Sequence, residues 1–394
     1  MSPRRARIAT CNARTLRSLV PLFTATFVAL LVLFASNGLS TARAQDAAIA
    51  PWQPTGLTAP AERLFTPTSG ALFARSGGGL VRSDDAGTIW KPIALPAVPP
   101  MPGLPPGTTG AVEVDPTNHA IIYKATADGM YKTSDDAQTW TLILPTMAEA
   151  PWFHALAISP ANNARLYVAV SHPEERRLLL LRSDDGGATW ATIHRAEVPR
   201  QVACTWGVPL LQAPPTDPDR IFMGAACSRN AQQATLQGSR DGGATWTDLY
   251  TPKLAEPRWL VVGGATAPGR LVMALNKDPR GGGSLVARSD DDGASWTTTL
   301  EFTGGGGMSG GGPDVNVVSL AADPTNPDRM LLGLSSTTGA WTAPPPLHAS
   351  MDGGLTWTPS PTPDLGAIAD VAYGIDGRMV FLATDSGVWR AAAP

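Results

Sequence analysis

The sequence has little cysteine, little charge and no surplus of positive charge, and each shortage narrows what the chain can be. Of three cysteines, Cys11 lies in a segment expected to be removed, which leaves Cys204 and Cys227 as one pair. Five histidines, His119, His154, His172, His194 and His348, are scattered with no two at metal-ligand spacing, so neither a metal nor another cofactor is expected. Gly304 to Gly312 (GGGGMSGGG) lacks the Gly-Lys-Ser/Thr ending of a phosphate loop and reads as a flexible linker. Leu95 to Gly107 (LPAVPPMPGLPPG) reads as an extended connector. Asp290-Asp291-Asp292-Gly293 has no following Glu at the offset a calcium loop requires.

What is present at the N-terminus is a targeting pattern. Arg4, Arg5, Arg7, Arg14 and Arg17 precede an uncharged apolar run from Leu19 to Ala35, and Ala42-Arg43-Ala44 offers small residues for cleavage after Ala44. Residues 1 to 44 therefore read as a signal peptide and 45 to 394 as the mature chain; the alternative is a retained membrane anchor. Loss of the segment takes six arginines and no acidic residue, turning 30 basic and 33 acidic residues into 24 and 33, a net charge of −9. Nucleic acid and anionic membrane surfaces need a cationic footprint, so neither is expected as partner. Export permits a disulfide. Cys204 and Cys227 flank a predicted hairpin turning at Pro214 to Pro218, which places them near each other on adjacent strands; buried free thiols are the other possibility.

An internal repeat organises the rest. Ser183 to Trp190 (SDDGGATW), Ser239 to Trp246 (SRDGGATW) and Ser350 to Trp357 (SMDGGLTW) are the clearest copies; Ser83 to Trp90 (SDDAGTIW) and Ser289 to Trp296 (SDDDGASW) are close. Ser134 to Trp140 (SDDAQTW) reads as a copy one residue short that has lost its Gly. The copies start 51, 49, 56, 50 and 61 residues apart. Between them lie short β-rich runs bounded by Pro, Asn, Asp and Gly, four per repeat, which is the anatomy of a propeller blade. Within the turn, Ser and Asp accept from backbone N–H groups, Gly permits positive φ, and Trp packs on the neighbouring blade. Asp85, Asp136, Asp185, Asp241, Asp291 and Asp352, with Trp90, Trp140, Trp190, Trp246, Trp296 and Trp357, are accordingly read as structural.

A seventh unit lacks the turn. Ile368 to Tyr373, Met379 to Thr384 and Gly387 to Arg390 reproduce three strands before the chain ends, and Ala50 to Pro54 (APWQP) mimics the missing fourth. The expected fold is all-β: a seven-bladed β-propeller of four-stranded antiparallel blades, closed by the N-terminal strand.

The S-x-D-x-G-x-T-W turns resemble the Asp-box, or BNR, repeat. That repeat occurs in sialidases, in two-propeller xyloglucanases, in sortilin-type receptors and in single-propeller photosystem II assembly factors. The resemblance covers residues 50 to 393 and implies the fold more specifically than the function, because these relatives do different things. A sialidase-like site implies an Arg-Ile-Pro motif and three arginines on a substrate carboxylate; the motif is absent, and only Arg258 is an obvious arginine among the segments opening the blades. A xyloglucanase-like cleft lies between two propellers, and this chain has length for one.

Propeller ligands usually meet the face formed by the starts of the innermost strands. That places Trp152, Phe153, His154, Trp206, Arg258, Trp259, Asn316 and Asp370 around one end of the channel, a mixture able to stack on a sugar or grip a peptide; the competing reading packs each Trp between blades. The expected function is a non-catalytic, secreted, monomeric module binding a protein or glycan. The alternative is a carbohydrate hydrolase with Asp370 as its acid, for which no carboxylate partner is evident.

Overall fold

The computed structural model describes residues 51–96, 111–147, 152–172, 177–197, 206–227, 234–251, 255–277, 283–303, 315–336 and 345–394. The expected signal segment, Cys204, the side chain of Cys227 and the Gly304 to Gly312 linker lie outside them. Residues 47–394 form one compact unit.

Seven four-stranded antiparallel sheets make up this unit, in a propeller arrangement. Blade three runs Trp152–Ile158, Leu166–His172, Arg177–Ser183 and Ala191–Glu197 from inside to outside, and five other blades repeat this simple order. Blade seven takes its three inner strands from Ile368–Tyr373, Met379–Thr384 and Gly387–Ala392, and its outer one from Gln53–Pro54. Gln53 pairs with Arg390 and Pro54 with Trp389.

Burial follows strand position. Second strands such as Leu271–Lys277 and Met330–Ser336 are buried on both faces, which is why LVMAL and MLLGL read as unbroken apolar runs rather than alternating ones. The outer strands are mostly exposed and polar. Seven hydrophobic clusters fill the seams, each shared by two neighbouring blades. One joins Leu64, Leu72 and Ala74 of blade one to Phe381, Ala383 and Val388 of blade seven. Trp52 enters the seam between blades six and seven with Leu331, Leu347 and Leu382. Burying one such side chain contributes roughly 1.5–3 kcal/mol, so the seams carry most of the stabilisation.

The repeated turn has one geometry in all six copies. In blade three Ser183 Oγ donates to Asp185 Oδ1 at 2.8 Å and accepts from Gly187 N at 2.8 Å, while Asp185 accepts from Thr189 N at 2.8 Å and Thr189 Oγ1 at 2.6 Å. These donors hold the carboxyls of Asp135, Asp185, Asp241 and Asp291 down at about 2, the threonine or serine hydroxyl contributing most. Asp352 makes the same contacts, Asp85 has the backbone one from Ile89 N but no hydroxyl at that place, and both carboxyls are also held low. The fourth and fifth turn residues both lie at positive φ, as in Gly186 (69°) and Gly187 (98°).

Blade two corrects one expectation. Its turn begins at Thr133, not Ser134, and has the full eight residues: Thr133 Oγ1 bonds Asp135 at 2.8 Å and Ala137 N at 3.0 Å. Asp135 is therefore the carboxylate that bonds Thr139, and Asp136 is the fourth turn residue, at φ 56°, with Ala137 at 64° where other copies have Gly. Threonine supplies the same hydroxyl as serine, which hid the true start.

A second device was not foreseen. The residue before the turn is basic in four copies, and it reaches the fourth turn residue of the next blade. Arg82 Nη1 bonds Asp136 Oδ1 at 2.8 Å, Lys132 Nζ bonds Gly186 O at 2.9 Å, Arg182 Nη1 bonds Gly242 O at 2.8 Å, and Arg288 Nη1 bonds Gly353 O at 2.8 Å. Arg390 of blade seven occupies the same place and bonds Ala86 O of blade one at 2.8 Å. Blade four has Gly238 there, and Arg220 and Arg240 bind Asp292 of blade five instead. The turn thus staples its own hairpin and receives the neighbour's cation.

Each turn tryptophan is half-buried, and four reach the preceding blade. The indole N–H groups of Trp140, Trp190 and Trp296 donate to the carbonyls of Ala94, Ile143 and Leu249 at 3.0 Å, and that of Trp357 to Thr299 Oγ1 at 3.3 Å. Trp90 and Trp246 bond Gly87 O and Gly243 O of their own turns at 3.0 Å.

Candidate functional site

The innermost strands are not regular. In six blades one extra residue is inserted against the second strand: Glu62, His154, one within Val208-Pro209, Arg258, Val318 and Ala369. Such a bulge re-aims a side chain out of the alternating pattern. Opposite it sits a small residue, Ala169, Gly224, Ala274, Gly333 or Ala383, in five of the six. A Cβ on Gly224 would come within 2.9 Å of Leu210 and 3.1 Å of Pro257, so the crowding is direct.

The inner strands bound a central cavity of about 730 Å³, and His154, Arg258, Val318 and Ala369, four of the bulge residues, line it. Trp259, Arg63, Glu113, Asn276 and Ser335 also face it, among apolar side chains including Leu210, Leu260 and Ile368. A second cavity of about 290 Å³ shares Arg63, Glu113, Leu156, Leu211 and Gln212 with the first, so these five form the waist between the two. The waist is crossed by an ion pair: Arg63 Nη1 lies 2.7 Å from Glu113 Oε1, and Nη2 donates to Oε2 at 3.3 Å.

Burial pushes the Glu113 carboxyl above the usual carboxylate range, and Arg63 opposes that. Arg258 is held by Glu256 at 3.0 Å. His154 Nε2 is 2.5 Å from Ser171 Oγ, and burial pushes its imidazole below the ordinary value, which keeps the ring neutral at pH 7. Asn276 clamps the next blade: its Oδ1 accepts from Val317 N at 2.8 Å and its Nδ2 donates to Val317 O at 3.1 Å.

Of the residues read from the sequence, His154, Arg258 and Trp259 meet at this cavity. Phe153 packs into the seam between blades two and three, and Trp259 packs against the seam between blades five and six while it also reaches the cavity. Asn316 is half-buried and not among the lining residues. The side chains of Trp152 and Trp206 lie outside the described residues. Arg63, Glu113 and Ser335 were not foreseen.

Asp370 is placed differently from the expected acid. Its Oδ2 accepts from Leu64 N of blade one at 2.8 Å, and its Oδ1 accepts from Val371 N at 2.9 Å and from the hydroxyl of Ser319 in blade six. Both oxygens are engaged in the junction of three blades, and the side chain is buried. Burial pushes its carboxyl up, against the pull of the Ser319 and Leu64 donors. Among the described residues no group of three or more His, Cys, Asp or Glu could hold a metal ion.

Comparison with known proteins finds no matching family model and no matching curated protein. Solved structures do match. A GH74 enzyme from Niastella koreensis aligns with a TM-score of 0.56 at 19% identity, over 86% of this chain and 53% of the enzyme. The chain thus spans about half the length of that enzyme. YCF48 bound to D1 peptide aligns with a TM-score of 0.54 at 16% identity, over 87% of this chain and 97% of YCF48. An oligogalacturonate lyase from Vibrio parahaemolyticus aligns with a TM-score of 0.58 at 8% identity, over 87% of this chain and 92% of the lyase. At such identities the likeness is one of fold.

Proposed function

We propose that the chain is an extracytoplasmic member of the Asp-box repeat superfamily that binds a protein or glycan ligand at the mouth of its central channel without catalysing a reaction. The observation that carries this reading is the chemistry of the 730 Å³ cavity: an aromatic, an imidazole and apolar walls, with Glu113 as the one lining carboxylate among the described residues and that one paired with Arg63. Glycoside hydrolysis in its usual form needs two carboxyls about 5–10 Å apart flanking a bond; Asp370, the other candidate, is engaged in a seam. GH74 enzymes and a peptide-bound YCF48 among the structural neighbours fit a propeller that handles either ligand class.

The test is an array of glycans and peptides probed with the mature chain, residues 45–394. Binding that is lost in Trp259→Ala, with the melting temperature unchanged, supports the channel mouth as the site. Binding indifferent to Trp259→Ala refutes it. Turnover of chromogenic glycosides, abolished by a single carboxylate substitution, would replace the binding reading with a hydrolytic one.

A further inference from the structure

We infer that the channel mouth takes a neutral, hydroxyl-rich ligand, a glycan free of carboxylates, with a sugar ring against Trp259 and a hydroxyl read by His154. This rests on the channel mouth being the binding site. It follows from asking which polar groups of the cavity are already engaged.

Both guanidiniums are. Arg63 makes two contacts with Glu113 and Arg258 one with Glu256. An anionic ligand drawn to Arg63 would have to compete with Glu113, a largely covered carboxylate that already holds the guanidinium by two contacts. A cationic ligand faces the same obstacle from the other side, since Glu113 is already neutralised. Asn276 has both ends of its amide on the Val317 backbone. Each of these charged and amide groups already has a partner with which an incoming charge would have to compete.

What remains is neutral. Ser171 occupies His154 Nε2, so Nδ1 is the ring nitrogen left for a ligand. Whichever tautomer the ring adopts, Nδ1 either donates or accepts, and a hydroxyl can answer in both cases. Ser335 adds a hydroxyl of its own, and Trp259 adds an indole face beside Leu260. One aromatic surface with a few neutral donors and acceptors matches a sugar, whose ring faces are apolar and whose rim carries hydroxyls. The cavity volume of about 730 Å³ falls within the size range of small-ligand sites.

The experiment titrates the mature chain calorimetrically with cello-, manno-, xylo- and galacto-hexaose, with hexagalacturonate, and with an oligoglutamate peptide. Expected is binding of at least one neutral hexaose whose affinity is unchanged between about 50 and about 500 mM NaCl, because no ion pair forms. Trp259→Ala and His154→Ala should each weaken it by roughly tenfold or more, while Trp259→Phe keeps most of it. Matching thermal melts show that these variants fold. If only hexagalacturonate or oligoglutamate binds, with salt-sensitive affinity lost in Trp259→Ala, the neutral-glycan inference fails and the channel reading stands. If a neutral hexaose binds but neither variant matters, the channel reading itself fails. If no neutral hexaose binds, the inference fails outright.

Discussion

Replacing Asp370 by Asn separates a structural carboxylate from a catalytic one. The carboxylate has acceptors on both sides: Oδ2 for Leu64 N at 2.8 Å, and Oδ1 for Val371 N at 2.9 Å and the Ser319 hydroxyl. An amide has one acceptor, so in either orientation its NH2 faces a backbone N–H. Leu64 N–H is left unpaired in one orientation, and in the other Val371 N–H must rely on Ser319 Oγ at 3.2 Å, at about 1–3 kcal/mol, and the remaining bonds lose their ionic acceptor, at about 1 kcal/mol more. Relief from burying a charge offsets part of this, leaving a net loss of about 2–3 kcal/mol. At ~2 °C per kcal/mol for a large domain, the melting temperature should fall by about 5 °C. The sign of the pH dependence follows from burial, which raises this carboxyl above the ordinary value of 3.8. Its contribution to stability is full below that value and is lost as the pH rises through the raised one, so the deficit of Asp370→Asn should be larger near pH 4 than at pH 7. Thermal melts of both proteins across that range are the assay. Asp370→Asn melting within about 1 °C of the parent would refute the three-blade staple.

Arg288→Ala removes two bonds to the carbonyls of Asp352 and Gly353, at 2.7 and 2.8 Å, together with the Asp290 pair, and should cost about 2–3 kcal/mol in urea unfolding, with Arg288→Lys recovering part. His348 is buried against Phe302, and burial pushes its imidazole down to about 4 from an ordinary 6.5. Its contribution to stability is therefore full above 6.5 and lost between there and about 4, so His348→Leu should flatten the slope of stability across that window. Removing residues 45–57 takes away the strand paired with Gly387–Ala392 and uncovers a sheet edge; the expected outcome, read by light scattering, is edge-to-edge association alongside a lower melting temperature.

The architecture was legible because it repeats. Six of the seven blades carry the same turn at about the same spacing, so six imperfect copies supported one another, and the strands read in blade seven agree with those observed within a few residues. The site was legible only in part. His154, Arg258 and Trp259 were found because they open inner strands, but Arg63 and Glu113 sit deeper, at the waist. The junction that holds Asp370 was not legible because its partners Ser319 and Leu64 lie 51 and 306 residues away, on two other blades. No local pattern encodes that junction. The bulges did leave a trace: Ala169, Gly224, Ala274, Gly333 and Ala383 recur at one place on the second strands, and at Gly224 and Gly333 an added Cβ would crowd the inner strand of its own or the next blade.

That trace separates two layers of the molecule. At the rim the blades agree: the same hydroxyl, carboxylate and pair of left-handed residues recur in six turns, and five basic residues bridge to the next one. Agreement there is what seven equivalent seams require. At the channel the blades disagree, since one bulge position holds Glu62, His154, Arg258, Val318 or Ala369. A bulge shared by six blades but filled with five different chemistries does nothing for symmetry and disturbs six ladders. In four blades it brings unlike side chains, His154, Arg258, Val318 and Ala369, to one cavity from a scaffold of like parts. Substituting His154 or Arg258 should therefore change what the propeller binds while leaving the rim, and with it the melting temperature, nearly untouched.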